Sequence, residues 1–420
     1  MITKQGSLHR LIVFIFLSIF LVFNTAPSPS QVYAQMAENA GASASMPPPP
    51  GWYAFANKGL DDGVFALEIS GDDLYVGGSF DTSGDGTLTG MGGIARFNIP
   101  SNTWHTLPNN GLDDGVGAMA LYRDNLYIGG HFLASGDGAR NLANIARYDA
   151  SANTWNALPN KGLNNPVTSF AVSGKYIYVG GWFEGTVDTT IKDLGHIVRY
   201  DTANKSWEAL ANQGLDKAVF ALAAKAVDLY AAGRFRNSGD LTVKDMINIA
   251  RYDTRTGKWH QLPEKGLNGD TQALAISGDD LYIGGEFSRT VEGSVTDLGN
   301  IVRFDTSTYS WHALPNQGLN GAVRSLAVSG DDLYLGGNFT ETGDGSLVDL
   351  GGIARYDKNT NTWHPLPNQG FKGNLNALLV SGDGLFVGGN FTQTGDGWWK
   401  ELGHVARSAL DVEFLPLAFK

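Results

Sequence analysis

From about residue 51 to 410, apolar and polar residues alternate in short runs, each broken by Gly, Asp, Asn or Pro. Val64-Phe65-Ala66-Leu67-Glu68-Ile69 is an apolar, mainly alternating run, and Gly71-Asp72-Asp73 is a tight turn. Leu74-Tyr75-Val76 leads into Gly77-Gly78. Ile94-Ala95-Arg96-Phe97 and Thr103-Trp104-His105-Thr106-Leu107 follow, the last ended by Pro108. Alternation over four to eight residues places one set of side chains on each face of a strand. The intervening Gly, Asp, Asn and Pro supply the turns. No stretch of this region sustains a helical period. The pattern predicts an all-β protein built from short antiparallel strands.

The pattern repeats. Trp52, Trp104, Trp155, Trp207, Trp259, Trp311 and Trp363 recur at intervals of 51 or 52 residues. A glycine pair keeps the same beat at Gly77, Gly129, Gly180, Gly284, Gly336 and Gly388, each followed by a second Gly; the fourth copy reads Ala232-Gly233. An arginine column does likewise: Arg96, Arg147, Arg199, Arg251, Arg303, Arg355 and Arg407. A period near 50 residues with four strands per copy is the arithmetic of a propeller. One blade cannot bury both faces of its sheet, and packing each blade on two neighbours in a ring solves this for every copy. A solenoid would need polar caps at its ends, and the terminal copies carry none. The expected fold is a seven-bladed β-propeller of four-stranded antiparallel blades. Trp52 stands in register as a fourth strand lacking its own first three, while the last copy has three strands and no tryptophan in the column position. The N-terminal strand is therefore expected to close the ring; Phe414-Leu415-Pro416-Leu417 is the alternative fourth strand.

The ends have a different texture. Residues 1–34 read as a signal peptide, with Lys4, His9 and Arg10 before the apolar run Leu11 to Phe23 and a small residue at Ala34. Thirteen apolar residues are few for a membrane span, so no span is expected after cleavage. Residues 35–50, rich in Ala and Ser and ending in Pro47 to Pro50, read as a linker. The propeller is expected over 51–410, with a C-terminal tail at 411–420.

Gly336-Gly337, then Arg355-Tyr356-Asp357, then Asn361-Thr362-Trp363-His364-Pro365-Leu366-Pro367 resembles a kelch repeat, with a longer interval between glycine pair and aromatic, filled by Thr340 to Gly352. The copies also resemble bacterial secreted or surface repeats, as Gly318 to Phe339 shows. Kelch-like propellers mostly bind proteins or glycans; a minority, resembling galactose oxidase, are copper enzymes. That copper chemistry uses a tyrosine crosslinked to cysteine, and this chain has no cysteine. Fold alone does not choose a function.

Composition narrows the choice. The net charge is −12 without a basic stripe, so nucleic acid is not an expected partner. No histidine cluster of metal-ligand spacing appears, and no cofactor or metal is expected. Asp81-x-Ser83-x-Asp85-Gly86 imitates the start of a calcium loop, but Gly92 stands where a bidentate Glu is needed. The related runs at Ser83, Ser135, Thr342 and Thr394 are read as hairpin tips. The fixed columns read as structure: each Trp packs between blades, the glycines allow close approach, and each Arg pairs with carbonyls or with acids such as Asp73, Asp228, Asp280 and Asp332.

Function is expected where the copies differ. The residue after each glycine pair changes class, as does the second residue of each first strand, and first strands line a propeller's channel. Trp182, Phe220, Arg234, Gln272, Glu286 and Arg324 form the candidate ligand surface, since aromatic and Arg anchors typify binding hot spots. The expected protein is a monomeric, secreted or cell-surface, non-catalytic binding module for protein or glycan. Alternatives are a secreted polysaccharide hydrolase or lyase using acids such as Glu286 and Asp344, and a structural surface-layer component.

Overall fold

The computed structural model describes residues 51–382 and 384–409. The signal segment, the linker, the tail and the alternative strand at Phe414 to Leu417 lie outside the described residues. Seven four-stranded antiparallel sheets follow one another along the chain. Blade 1 comprises Val64–Ser70, Asp73–Gly78, Ile94–Asn98 and Thr103–Thr106, in that spatial order. Blades 2 to 6 repeat it, beginning at Val116, Val167, Val219, Thr271 and Val323. Blade 7 takes Phe371–Ser381, Gly384–Thr394 and Val405–Ala409 from the C-terminal end and Tyr53–Ala54 from the N-terminal end. Tyr53 pairs with Arg407 and Ala54 with Ala406, so the first strand closes the ring.

Each fourth strand runs into a feature that the alternation pattern does not reveal, a three-residue 3-10 turn such as Pro108–Asn110. Asn109, Asn110 and Gly111 all have positive φ there. Asn and Gly tolerate the left-handed region better than other residues, which accounts for the recurrent Pro-Asn-x-Gly wording. Antiparallel topology sends these turns and the long loops between second and third strands to one face of the disc, the loop face. The two hairpins of every blade lie on the other, the hairpin face.

The core is a succession of layers between blades. Tyr75 and Ile94 of blade 1 pack against Leu126, Ile128, Phe132, Tyr148 and Trp155 of blade 2, and six similar layers complete the circuit. Each column residue has a part in a layer. The indole N–H of Trp104, Trp155, Trp207, Trp259, Trp311, Trp363 and Trp52 donates to the carbonyl of Ala56, Pro108, Pro159, Ala211, Pro263, Pro315 and Pro367 respectively, at 2.9–3.1 Å. The acceptor is always the first residue of the preceding 3-10 turn, so the tryptophan ties one blade to the connection before it.

The two glycines of each pair do different things. A Cβ on Gly77, Gly129 or Gly388 would meet a valine methyl of the next blade at 2.5, 2.3 or 2.3 Å. A Cβ on Gly78, Gly130, Gly233, Gly285 or Gly337 would meet a backbone carbonyl within 2.0–2.1 Å, which no rotamer change relieves. Only the first position admits a methyl. At Ala232 the facing valine is replaced by Thr271, whose hydroxyl bonds to Asn248 O and Gly233 N.

The arginines are half-buried rather than buried. Arg96, Arg251, Arg303 and Arg355 pair with Asp73, Asp228, Asp280 and Asp332 at 2.7–3.1 Å. The acid at the start of the second strand is missing from the other three copies. Arg199 takes Glu208 instead, Arg407 lies over the Phe55 ring, and Arg147 has the amide of Asn125.

One first-strand position breaks the repeat electrostatically. Glu68 sits where other blades have Ala120, Ala171, Ala223, Ala275, Ala327 or Leu379. Burial pushes its carboxyl up to about 7, against backbone N–H donors of Ile69 and Leu121. Loop and hairpin aspartates go the other way. Bonded by neighbouring hydroxyls and N–H groups, or by Lys175 in the case of Asp201, Asp188 and Asp201 are held at about 2, with Asp85, Asp137, Asp149, Asp240, Asp305 and Asp344 also lowered. The two classes act with opposite sign. The aspartates contribute stability present above about pH 4 and lost as pH falls through their lowered values. Glu68 costs stability as pH rises from about 4.5 to its raised value. Glu68→Gln should therefore raise the melting temperature above that of the wild type by an amount that grows from pH 4.5 to about 7, while leaving the acid limb. A Glu68→Gln profile that superposes on the wild type would show that this carboxyl is not perturbed.

Candidate binding face

The first strand of every blade carries a register shift at its second residue, between Val64 and Ala66, Val116 and Ala118, Val167 and Ser169, Val219 and Ala221, Thr271 and Ala273, Val323 and Ser325, and Leu375 and Ala377. A bulge takes one residue out of the ladder and re-aims its side chain. The bulged residues are Phe65, Gly117, Thr168, Phe220, Gln272, Arg324 and Asn376, the variable column of the sequence. The second variable column, Ser79, His131, Trp182, Arg234, Glu286, Asn338 and Asn390, is exposed in all seven copies because each residue follows a glycine pair packed against backbone. Both columns therefore lie at the loop-face end of their strands, where the backbone is fixed and the side chain is free to vary.

Five of the six candidate residues make contacts there. Trp182 and Phe220 face each other across blades 3 and 4, ring centroids 5.7 Å apart. The Arg234 guanidinium lies 5.7 Å from the centroid of Phe220 and its Nε is 2.5 Å from Asp270 Oδ2 of blade 5. Gln272 Nε2 donates to Glu286 Oε1 at 3.1 Å. Trp182, Phe220, Arg234 and Asp270 thus form one chain of contacts over three blades, and Gln272 with Glu286 a separate pair. Arg324 is not drawn into either: its half-buried guanidinium makes no hydrogen bond or ion pair among the described residues.

The loop face carries more than the candidate columns suggested. Of the nine exposed large apolar side chains among the described residues, six stand on it: Leu133, Trp182, Val187, Leu241, Val348 and Trp398. All six lie in second-to-third-strand loops, and of them only Trp182 was among the candidate residues. Their signal was an apolar residue inside a polar loop, visible at Leu133 and Trp398 but not distinguishable there from a residue that folds inward.

Those loops are pinned rather than loose. Asp85 Oδ1 accepts from Ser83 Oγ at 2.7 Å and from the Thr87 N–H and hydroxyl at 3.0 and 2.7 Å, and Oδ2 accepts from Asn57 Nδ2 at 3.1 Å. Asn57 belongs to the 3-10 turn before the blade. Asn109–Asp137, Asn160–Asp188, Asn212–Asp240, Asn316–Asp344 and Asn368–Asp396 repeat that contact. The Ser and Thr residues taken for hairpin tips are buried anchors; Ser83, Ser135, Thr342 and Thr394 are 0–1% exposed, and the tip falls on the following Gly and Asp. In the calcium-like run, Asp81 Oδ1 accepts the Gly92 N–H at 3.2 Å, so both carboxylates are engaged by the loop's own donors. Asp344 is likewise bonded by Thr342, Ser346 and Asn316, which hold its carboxyl well below the usual range. Ionised and committed to its loop, it is unsuited to donate a proton near neutral pH.

Fold and site define a seven-bladed β-propeller with a rigid scaffold and a variable, partly apolar loop face. Residues 63–185 and 197–333 match the family model described as the Rax2 C-terminal beta propeller domain; the chain belongs to this family. It is 33% identical over 157 residues to "Polarized growth protein rax2" of Schizosaccharomyces pombe, which covers 37% of this chain and 13% of that protein. The chain thus matches only a small part of that relative's length. The kelch resemblance is also present, weakly: "Kelch-like protein 38" of Rattus norvegicus is 21% identical over 253 residues, 59% of this chain and 39% of that one. Among solved structures, the extracellular domain of a putative one-component system from B. thetaiotaomicron superposes with a TM-score of 0.54 at 12% identity, over 85% of this chain and 40% of that one, a likeness of fold alone. The matching family model and these relatives bear no enzyme name.

Proposed function

We propose that this chain is an exported, non-catalytic binding module of polarized growth, which engages a protein or glycan partner through its loop face. The observation that carries the reading is that six of the nine exposed large apolar side chains among the described residues stand on that one face, which also carries the Trp182–Phe220–Arg234 contact. Isolated surface apolar residues are ordinary, but a concentration rimmed by polar groups marks an interaction site. An aromatic pair with an Arg anchor adds the composition of a hot spot. The role in polarized growth rests on the relative named for it, and the extracytoplasmic setting on the apolar run Leu11 to Phe23 read as an export signal.

The test is binding of purified protein to a glycan array and to intact cells of the source organism. Trp182→Ser/Arg234→Glu removes the aromatic anchor and reverses the charge. Hot-spot truncations cost about 2 kcal/mol or more each, so binding should fall by roughly a hundredfold or more. Equal binding by the double variant would move the site off this face, and turnover of a bound polysaccharide would replace a binding module with an enzyme.

A further inference from the structure

The arginine column contains an imbalance on the opposite side of the molecule. In blades 1, 4, 5 and 6 the column arginine is neutralised by an aspartate at the start of the second strand. In blade 2 that position is Asn125, and Arg147 Nη1 donates to its amide oxygen at 2.9 Å. Arg147 has no carboxylate within ion-pair distance among the described residues. An amide satisfies a hydrogen bond but leaves the charge. Asp149 acts on it only from a distance, its own Oδ1 bonded to Ser151 and the Ala152 N–H.

Arg147 lines a cleft of about 510 Å³ between blades 2 and 3, toward the hairpin face. Arg123, Lys175 and Lys205 also line it. Lys175 is paired with Asp201 at 2.6 Å; Arg123 lies over the Tyr122 ring, 5.4 Å from its centroid; Lys205 has no ion pair among the described residues. Three unneutralised cations in one cleft are out of keeping with a chain of net charge −12. Tyr122, Tyr127 and Tyr200 also border it, the last two buried with their rings packed in the layer between blades 2 and 3. The Tyr127 and Tyr200 hydroxyls find no hydrogen-bond partner among the described residues, although Tyr148 and Tyr356 in related positions bond to Asn153 and Asn361.

We propose that this cleft binds an acidic sugar, its carboxylate or phosphate held by Arg147 with Arg123 and Lys205, and its hydroxyls by those of the tyrosines. Arginine's planar fork suits a two-oxygen anion, the volume is within the range of small-ligand sites, and tyrosine hydroxyls without a partner suit a hydroxylated body. The site is independent of the loop face and stands whether or not that face binds a partner.

Calorimetry with glucuronate, glucose 6-phosphate, inorganic phosphate and glucose as probes tests it. Both charged sugars should bind, weakening with added salt; inorganic phosphate should bind more weakly and glucose not measurably. Asn125→Asp restores the acid that four other blades carry, so the fold should be retained and the melting temperature unchanged or raised. A charge-assisted hydrogen bond contributes about 1.5–3 kcal/mol, so Asn125→Asp and Arg147→Gln should each weaken the charged sugars by about tenfold or more. Failure of both sugars to bind, binding indifferent to both substitutions, or inorganic phosphate binding as tightly as the sugar phosphate would each overturn the proposal.

Discussion

Replacing Trp155 with alanine is expected to lower the stability of the propeller by about 3–5 kcal/mol, the usual cost of truncating a buried Trp or Phe to Ala. Trp155 is 1% exposed, packs its ring 5.2 Å from that of Tyr148, and reaches back to Pro108 O at 2.9 Å. Alanine loses the ring, opens a cavity between blades and cuts the tie to the preceding turn. Phenylalanine keeps part of the ring and loses the N–H. The Pro108 carbonyl still accepts from Gly111 N, so Trp155→Phe should cost about 1–2 kcal/mol, mostly a single hydrogen bond and some packing. Denaturant titration of the two variants separates these contributions. Equal losses in both would mean that the hydrogen bond, rather than the buried ring, holds the blade to its neighbour.

Removing residues 51–62 should be more damaging. That segment supplies the closing strand and three buried side chains, Trp52, Phe55 and Leu60, at 0, 3 and 1% exposure. Truncating a single large core side chain costs about 2–5 kcal/mol, so the three together rival the 5–15 kcal/mol that typically separates folded from unfolded domains. The deletion also leaves Val405–Ala409 as an unpaired edge, since Tyr53–Ala54 is its neighbour in the sheet. Open edges recruit other chains. Residues 63–420 should elute as larger species with no cooperative melting near that of the intact chain, and a peptide of residues 51–62 added in trans should restore the elution of the intact propeller. A truncated protein that elutes as the intact chain does, with an unchanged melting temperature, would show that closure contributes little.

The fold was legible because three columns recur with one period, and the tryptophan and glycine columns record a packing requirement that every blade shares. Trp207 and Gly181 meet equivalent neighbours in equivalent blades, so their position in the repeat predicts their environment, whereas Arg251 shares an aspartate partner with only three other copies. The candidate site was legible only as a contrast. Phe220 and Gln272 stood out by differing from their counterparts, but the bulge that turns them out of the ladder follows from backbone register, which alternation alone does not encode. The contact of Arg234 with Asp270 joins two blades and has no signature at fixed spacing. The 3-10 turns were written as Pro-Asn-x-Gly in several copies, yet their coupling to loop aspartates, as in Asn57 with Asp85, becomes visible only when the loop folds back. Arg147 is the converse case. The sequence aligns it with its column and hides that its partner has lost a charge, because Asn125 and Asp73 differ by one atom type while the surroundings remain the same.

The central claim is that the fixed columns make the fold and the variable loop face makes the contact. Paired measurement of melting temperature and of binding to intact cells, on Trp182→Ser/Arg234→Glu and on a hairpin-face control away from the cleft, the exposed Asn359→Ala of blade 6, tests it most directly. The account predicts a melting temperature within a few degrees of wild type for both variants, with binding lost only in the loop-face double variant. Retained binding in that variant, or loss of binding in the hairpin-face control, would contradict it.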